Sequence, residues 1–179
     1  MASCPHCNSG RSSRLQEYPK FNLRSCDSCN KTFVENTEHP TVGKGTRIWH
    51  PELSVISKDA VIGENCVIHS HVWIGPNVKI GDGCRIQAFT FIPPGVHIGD
   101  NVFIGPRVTF TNDKYPPSGG NWINTRVYDG ASIGAGAVIL PGITIGANAR
   151  IGAGSVVTKN VVAGVTVCGN PAQIHNKNG

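Results

Sequence analysis

The sequence lacks several features that would point to a membrane or nucleic-acid partner. It has no stretch of about 18 apolar residues and so no candidate transmembrane helix. Residues 1–5 lack the basic and apolar regions of a secretory signal peptide. Only 15% of the 179 residues are charged, and the formal net charge is +5. Beyond residue 40, however, Lys and Arg are spread singly with acidic residues between them, so they form no basic patch that would bind nucleic acid. We therefore expect a soluble cytoplasmic protein without a membrane or nucleic-acid partner.

Two CxxC motifs lie near the N-terminus, Cys4–Cys7 and Cys26–Cys29, separated by 18 residues. Two such pairs supply the four thiolates of a closed tetrahedral site, and thiolates favour Zn²⁺ over harder metals. A segment of forty residues has little core of its own, and metal binding would therefore supply much of its folding free energy. We expect a structural zinc ribbon over 1–40, with a rubredoxin-type iron site or a redox-active pair as alternatives.

A six-residue repeat governs the chain from residue 56 onward. Isoleucine recurs at positions 56, 62, 68, 74, 80, 86, 92, 98 and 104, and Phe110 continues the series. A period of six fits neither an α-helix nor a simple alternating strand. The repeat Ile-Gly-x-x-Val-x instead predicts a short strand followed by a turn, and three repeats would form one triangular coil. Residues 18 apart then stack at about 4.8 Å, which predicts that Cys66 and Cys84 are neighbours in the core.

The repeat is interrupted once. It resumes at Val127, 17 residues after Phe110, so the phase has slipped. The residues between them must leave the coil, and we expect a loop at 111–125 inserted into a β-helix domain at 41–179. Loops on a regular scaffold are frequent sites of function, so this loop is the first candidate.

Four segments carry a family resemblance. They are Phe110–Pro116 (FTNDKYP), Gly130–Gly146 (GASIGAGAVILPGITIG), Val156–Asn160 (VVTKN) and Gly169–Ala172 (GNPA). With the repeats, they resemble the hexapeptide-repeat acyltransferases, whose fold is a homotrimeric left-handed parallel β-helix. Within that family they are similar to sugar-nucleotide N-acetyltransferases acting on UDP- or dTDP-linked 3-amino sugars. The resemblance implies an acetyl-CoA-dependent acetyltransferase with active sites in grooves between subunits.

The resemblance also implies roles for particular residues. Acetyl-CoA would run along the small residues Ala135, Gly136, Ala153 and Gly154, with Lys159 near a CoA phosphate. The acceptor sugar would be bound by Asn112, Asp113, Lys114 and Gln87. The sequence departs from the subgroup where Gln87 is followed by Ala88 and Phe89, since relatives often read Gln-Asn-Asn there. That departure concerns the acceptor site and therefore the identity of the sugar.

The residue at position 136 bears on the reaction type. Related O-acetyltransferases acting on galactosides or maltose place a histidine base where this chain has Gly136. A hydroxyl acceptor normally needs such a base, whereas an amine attacks as its free base. We therefore expect N-acetylation. The alternative reaction is O-acetylation. Its candidate catalytic bases are His71 and His69, which should project outward near a corner of the coil. A non-enzymatic trimeric scaffold is a further alternative. A γ-type carbonic anhydrase is disfavoured because its histidine pair, five residues apart, is missing.

Overall fold

The computed structural model describes the backbone of three N-terminal strands, at 12–18, 21–26 and 32–35, and the chain from 40 to 175. The chain divides into two units, Met1–His39 and Pro40–Gly179. In the first, β1 (Ser12–Tyr18), β2 (Phe21–Cys26) and β3 (Thr32–Glu35) form an antiparallel sheet in the order β1-β2-β3. Cys26 ends β2, while Cys4, Cys7 and Cys29 lie outside the described residues, so the zinc site stays a prediction.

The second unit is built from short strands that fall into three parallel sheets, here called faces 1, 2 and 3. Face 1 contains β4 (Thr41–Val42), β7 (Val61–Ile62), β10 (Lys79–Ile80), β13 (Val96–Ile98), β16 (Thr125–Val127) and β19 (Thr144–Ile145). Face 2 contains β5 (Arg47–Ile48), β8 (Val67–Ile68), β11 (Arg85–Ile86), β14 (Phe103–Ile104), β17 (Ser132–Ile133), β20 (Arg150–Ile151), β22 (Thr166–Cys168) and the antiparallel β23 (Gln173–Ile174). Face 3 contains β6 (Val55–Ile56), β9 (Trp73–Ile74), β12 (Phe91–Ile92), β15 (Thr109–Phe110), β18 (Val138–Ile139) and β21 (Val156–Val157).

The strand register confirms the parallel β-helix. On face 1, Ile62 pairs with Ile80 and Ile80 with Ile98, so residues 18 apart stack on successive coils. From β7 to β20 each strand isoleucine is buried because the alternation of a strand directs it inward, and its neighbour, such as Lys79, faces outward. These inward side chains form one continuous core. The only helix in the described ranges, η1 (Pro51–Leu53), has three residues, and no described helix has the length and apolar character needed to cross a membrane.

Each coil turns three corners: the first joins faces 1 and 2, the second faces 2 and 3, and the third faces 3 and 1. At the first corner the left-handed position alternates between Asn and Gly, as at Asn65, Gly83 and Asn101. A Cβ on Gly83 would lie 2.5 Å from Oδ1 of Asn101. The asparagine side chain of one coil therefore requires glycine in the coil before it.

Cys66 and Cys84 are core neighbours, as the period predicted. Both are fully buried at the first corner. Their Sγ atoms donate to the carbonyl oxygens of Gly81 at 3.1 Å and Gly99 at 3.0 Å, respectively. The adjacent Cys66 thiol, together with burial, raises the pKa of Cys84. Cys84 therefore stays a neutral thiol that packs like a small apolar side chain.

The inserted loop is one residue shorter than predicted. Thr125 is the first residue of β16 and is completely buried, so the loop covers 111–124. The sequence pattern placed Thr125 in the loop because the six-residue series itself resumes only at Val127. Across the insertion paired residues are 29 apart instead of 18, as in Ile98 with Val127, so this coil carries eleven additional residues. The coil resumes its register afterwards.

Candidate active site

The left-handed positions of the second corner form a column along the β-helix. His71, Phe89, Arg107, Gly136 and Gly154 occupy it in successive coils, with φ values of 59°, 62°, 59°, 68° and 67°. Bulky residues rarely adopt this backbone conformation. The column therefore divides into three coils with large side chains and two coils with glycine.

The three large side chains stack on one another. The rings of His71 and Phe89 are 4.7 Å apart and nearly parallel, and the Arg107 guanidinium lies 6.0 Å from the centre of the Phe89 ring. Beyond Arg107 the corner is open, because a Cβ on Gly136 or on Gly154 would meet no atom within 4 Å. We call the exposed surface formed by Ala135, Gly136, Ala153 and Gly154 the small-residue shelf.

The shelf offers two backbone donors. The N–H groups of Gly136 and Gly154 are already used, since each donates at 2.8 Å, to the carbonyl oxygens of Pro106 and Ala135. In the stretch from 40 to 175, no hydrogen bond uses the N–H of Ala135 or of Ala153. A ligand lying on the shelf would therefore find its backbone donors at the two alanines.

The predicted residues His69, His71 and Gln87 lie on this second corner as well. His71 is exposed, and its ring contact is the stacking on Phe89. Within residues 40–175, no hydrogen bond joins the ring of His69 or His71 to a carboxylate that would orient it as a base. The backbone of Gln87 is fixed at both ends: its N–H donates to Ile104, and its carbonyl accepts from the Thr90 hydroxyl at 2.7 Å.

The third corner holds a cavity of about 630 Å³ beneath the inserted loop. We call it the lysine cavity, because Lys114 of the loop and Lys159 of the last coils both line it. The remaining lining residues are Thr111, Asp113, Ile123, Leu140, Pro141, Gly142, Ile143, Thr158 and Asn160. Two ammonium groups in one cavity suit an anionic ligand such as a phosphate.

Asp113 is held as a carboxylate by the loop backbone. The N–H of Ser118 donates to its Oδ2 at 2.9 Å, and the N–H of Tyr115 donates to its Oδ1 at 3.1 Å. The bond from Ser118 is the main reason that the pKa of Asp113 lies below its ordinary value. A carboxyl group with a lowered pKa is a weak base at neutral pH but a good acceptor for an ammonium or amine hydrogen.

The structure thus distributes the predicted site residues over two corners. The second corner carries His69, His71, Gln87 and the small-residue shelf, and the third carries Asn112, Asp113, Lys114 and Lys159. Of these, Asp113, Lys114 and Lys159 line one cavity, while Asn112 faces the other side of the loop. Within one chain, face 3 lies between the two corners.

Sequence reasoning missed Arg107 and three aromatic residues, Trp73, Phe91 and Trp122. For Arg107 a signal was available, because positions 71, 89 and 107 are 18 apart and must stack. The same spacing relates Trp73 to Phe91. Trp122 gave no such signal because it lies in the loop, outside the repeat.

Comparisons with known proteins identify the repeats. The family model described as bacterial transferase hexapeptide (six repeats) matches residues 77–112 and 124–159. The model for the hexapeptide repeat of succinyl-transferase matches residues 58–92. A galactoside O-acetyltransferase of Lactococcus lactis is 36% identical over 84 residues, which are 43% of this chain and 41% of that protein.

Two solved structures extend the similarity to most of the chain. PerB from Caulobacter crescentus, in complex with CoA and GDP-perosamine, has a TM-score of 0.64 at 27% identity and covers 76% of this chain and 58% of PerB. The acetyltransferase domain of PglB from Neisseria gonorrhoeae, in complex with acetyl coenzyme A, has a TM-score of 0.64 at 25% identity and covers 73% of this chain and 58% of that chain. This chain spans less than three fifths of the length of each of these proteins.

Proposed function

The chain belongs to the family of hexapeptide-repeat acyltransferases, and from this premise we propose that it is a cytoplasmic, acetyl-CoA-dependent N-acetyltransferase. Its acceptor is the amino group of a nucleotide-linked amino sugar. The observation that supports the proposal is the lysine cavity, because Asp113 lines it together with two cations that suit phosphate groups. The similarity to PerB, solved with CoA and GDP-perosamine, supports the same assignment.

The proposed cofactor site combines the small-residue shelf with Lys159. The pantetheine of acetyl-CoA lies on the shelf, where the N–H groups of Ala135 and Ala153 are available to its amides or to the developing oxyanion. Gly136 and Gly154 are required there because any side chain would project into the space the pantetheine takes. Lys159 binds a CoA phosphate as a flexible point charge.

In the proposed reaction, the amine nitrogen of the sugar attacks the thioester carbonyl. The new C–N bond forms, the C–S bond breaks, the CoA thiolate leaves, and the proton lost by the nitrogen passes to that thiolate, directly or through water, to give the CoA thiol. Asp113 remains ionised and accepts a hydrogen bond from the amine, which orients its lone pair toward the thioester. Asn112, Lys114 and Gln87 bind the acceptor.

The second corner supports N-acetylation over O-acetylation. Its column has glycine at position 136, where related O-acetyltransferases carry a histidine base. His71 and His69 are the candidate bases for an O-acetyltransferase, and the similarity to a galactoside O-acetyltransferase keeps that reaction as the second candidate. His71 is stacked on Phe89 and, among the described residues, has no carboxylate partner to orient it.

The test is CoA-thiol release by the purified protein with acetyl-CoA and a panel of UDP-, dTDP- and GDP-linked amino sugars. The matched control acceptors carry a hydroxyl group in place of the amine. Transfer confined to the amino sugars is the expected result. Transfer to the hydroxyl sugars, lost in His71→Ala or His69→Ala, would establish O-acetylation instead. If the protein neither turns over any acceptor nor binds acetyl-CoA, the remaining interpretation would be a non-enzymatic trimeric scaffold.

We further propose that the active protein is a homotrimer. The supporting observation is the number of large apolar side chains exposed on the outer faces, which include Val55 at 58% and Phe103 at 38%. A neighbouring copy would cover such side chains. It would also turn face 3, with the second and third corners at its two edges, into the floor of a groove. Sedimentation or light scattering should give three times the chain mass.

We propose a structural zinc ion on Cys4, Cys7, Cys26 and Cys29. The donor set supports it, because four thiolates complete a tetrahedral site with no open position for catalysis. Zinc bound there would stabilise the N-terminal unit. Elemental analysis should give one zinc per chain, reduced in Cys26→Ser but unchanged in Cys168→Ser, a control at an exposed cysteine on face 2. Equal zinc content in the two variants would contradict this site.

A further inference from the structure

A second cavity, of about 410 Å³, lies at the third corner on the other side of the inserted loop. We call it the aromatic cavity, because Trp73, Phe91 and Trp122 line it. The other lining residues are Pro76, Asn77, Pro93, Pro94 and Asn112. The lining contains no charged side chain, in contrast to the lysine cavity. Its volume is in the range that small-molecule ligands occupy.

Two walls of the cavity carry aromatic rings. On the outer side of face 3, Trp73 and Phe91 pair in register, and their rings stack with centres 4.8 Å apart and an angle of 23°. From the loop, Trp122 contributes an indole that is 52% exposed, while Phe91 is 39% exposed. Aromatic side chains left in water around one concave surface indicate a binding site rather than a core.

The loop acts as a partition between the two cavities. The N–H of Ile123 donates to the carbonyl oxygen of Asn112 at 2.9 Å, which joins the two arms of the loop. On each arm, adjacent residues line opposite cavities: Asn112 and Trp122 line the aromatic cavity, and Asp113 and Ile123 line the lysine cavity. A single ligand that reaches around this partition would therefore meet an aromatic surface on one side and cations on the other.

The chemistry of the two cavities matches the two ends of a nucleotide. A nucleobase is planar and uncharged, stacks on aromatic side chains, and presents donors and acceptors along its edge. Asn77 and Asn112 supply amide groups that both donate and accept. A diphosphate, by contrast, needs a cation, and Lys114 of the loop supplies one in the lysine cavity.

We propose that the aromatic cavity binds the nucleobase of the nucleotide-linked acceptor. This inference rests on the proposed function, which supplies the nucleotide. It assigns Trp122, Trp73 and Phe91 to base stacking and Asn77 and Asn112 to the base edge. The inserted loop then serves the base through Asn112 and Trp122 and the reacting amine through Asp113.

The experiment measures binding of UMP, dTMP and GMP to the full chain by calorimetry, with ribose 5-phosphate as the probe that lacks a base. The variant is Trp122→Ala. The matched control is Trp49→Ala, since Trp49 is exposed to a similar extent, 50% against 52%, but lies on the second corner of the first coil. Thermal unfolding of both variants checks that they remain folded. The KM of each variant for the acceptor is measured at saturating acetyl-CoA.

We expect at least one nucleoside monophosphate to bind more tightly than ribose 5-phosphate. Trp122→Ala should weaken that binding about tenfold to hundredfold, the usual cost of losing one base-stacking partner. It should raise the KM for the acceptor by a similar factor and leave the KM for acetyl-CoA unchanged. Trp49→Ala should change none of these quantities.

Three results would overturn the proposal. Ribose 5-phosphate binding as tightly as the nucleotides would show that the base is not recognised. An unchanged acceptor KM in Trp122→Ala, with acetyl transfer intact, would reject the aromatic cavity while the proposed function stands. If Trp122→Ala changes the oligomeric state of the protein, seen as a change of its mass in solution, but not its nucleotide affinity, the cavity would be an interface between copies of the chain. Base-dependent binding that needs Trp122, in a protein that acetylates no acceptor, would support the cavity and reject the acetyltransferase.

Discussion

Replacing Gly154 with asparagine tests whether the small-residue shelf serves acetyl-CoA or only the turn. In the chain itself the change should be mild, because Asn65, Asn77, Asn101 and Asn148 occupy the same left-handed backbone position with φ between 54° and 58°. A side chain at Gly154 would meet no atom within 4 Å at its Cβ. We therefore expect a loss of stability below about 1 kcal/mol, less than the roughly 1–2 kcal/mol that most L-residues cost there.

The effect on acetyl-CoA should be larger. The new side chain fills the space above the shelf and would displace the pantetheine, at a cost of about ten van der Waals contacts of about 0.1–0.2 kcal/mol each. Losing one hydrogen bond to the free N–H of Ala153 would add about 0.5–1.5 kcal/mol. Because about 1.4 kcal/mol is tenfold in affinity, the Kd for acetyl-CoA should rise at least about tenfold in Gly154→Asn.

Gly164→Asn is the matched control. Gly164 has a φ of 73°, its Cβ position is equally open, and its N–H donates at 2.8 Å to the carbonyl oxygen of Ala147 in the preceding coil. Gly164 lies on the first corner, away from the shelf. Calorimetric titration with acetyl-CoA and urea unfolding of both variants complete the assay. Equal Kd values for the two variants would refute the argument, because the two glycines would then be only turn residues.

Three further changes test the core, the cofactor site and the charge on face 1. Phe110→Ala should lower the free energy of unfolding, measured in urea, by about 3–5 kcal/mol, since the ring is fully buried. Phe110→Ile restores the isoleucine of the repeat and should cost less than about 1.5 kcal/mol. Equal losses in the two variants would contradict the burial of Phe110 in the core. Lys159→Ala should raise the KM for acetyl-CoA about tenfold in steady-state assays and leave the melting temperature unchanged; an unchanged KM would remove Lys159 from the cofactor site. Burial, followed by the charges of Arg126 and Lys79, lowers the pKa of His97 below 6.5. Protonation of His97 therefore favours the unfolded chain, and stability is lost as the pH falls below that value. Between pH 7.5 and pH 5.5 the melting temperature of His97→Gln should fall less than that of the unchanged protein, and an equal fall would argue against His97 as the cause.

The fold could be predicted because the repeat fixes both the strand positions and their register. Once Ile62, Ile80 and Ile98 are taken as inward residues of one face, every residue 18 positions away must stack on its equivalent. That arithmetic located the buried thiols of Cys66 and Cys84 without any knowledge of their contacts. It also brought the predicted cofactor residues Ala135 and Ala153 to one corner.

The loop could not be predicted beyond its existence, because it has no period to fix its path. Asn112 and Asp113 were assigned together to the acceptor, yet they line different cavities. A hydrogen bond from the Ile123 N–H to the Asn112 carbonyl oxygen joins residues eleven apart, and on each arm of the loop neighbouring residues line opposite cavities. At the second corner the 18-residue spacing does predict that His71, Phe89 and Arg107 stack, but Phe89 and Arg107 do not favour the left-handed conformation that they adopt there.

Both departures from the regular repeat occur in the same coils, which supports the proposal that the two corners belong to one site. The second corner changes from large side chains to glycine at Gly136, in the first coil after the insertion, and remains open at Gly154. The third corner opens into the lysine cavity over these same coils, with Lys159 on its wall. Gly154 and Lys159 are joined by β21, whose outward residue Val156 is only partly buried. In the proposed function, one acetyl-CoA that touches both residues of one chain crosses face 3 at Val156, so calorimetric titration of a variant with a large side chain there should show weaker acetyl-CoA binding, as we expect for Gly154→Asn.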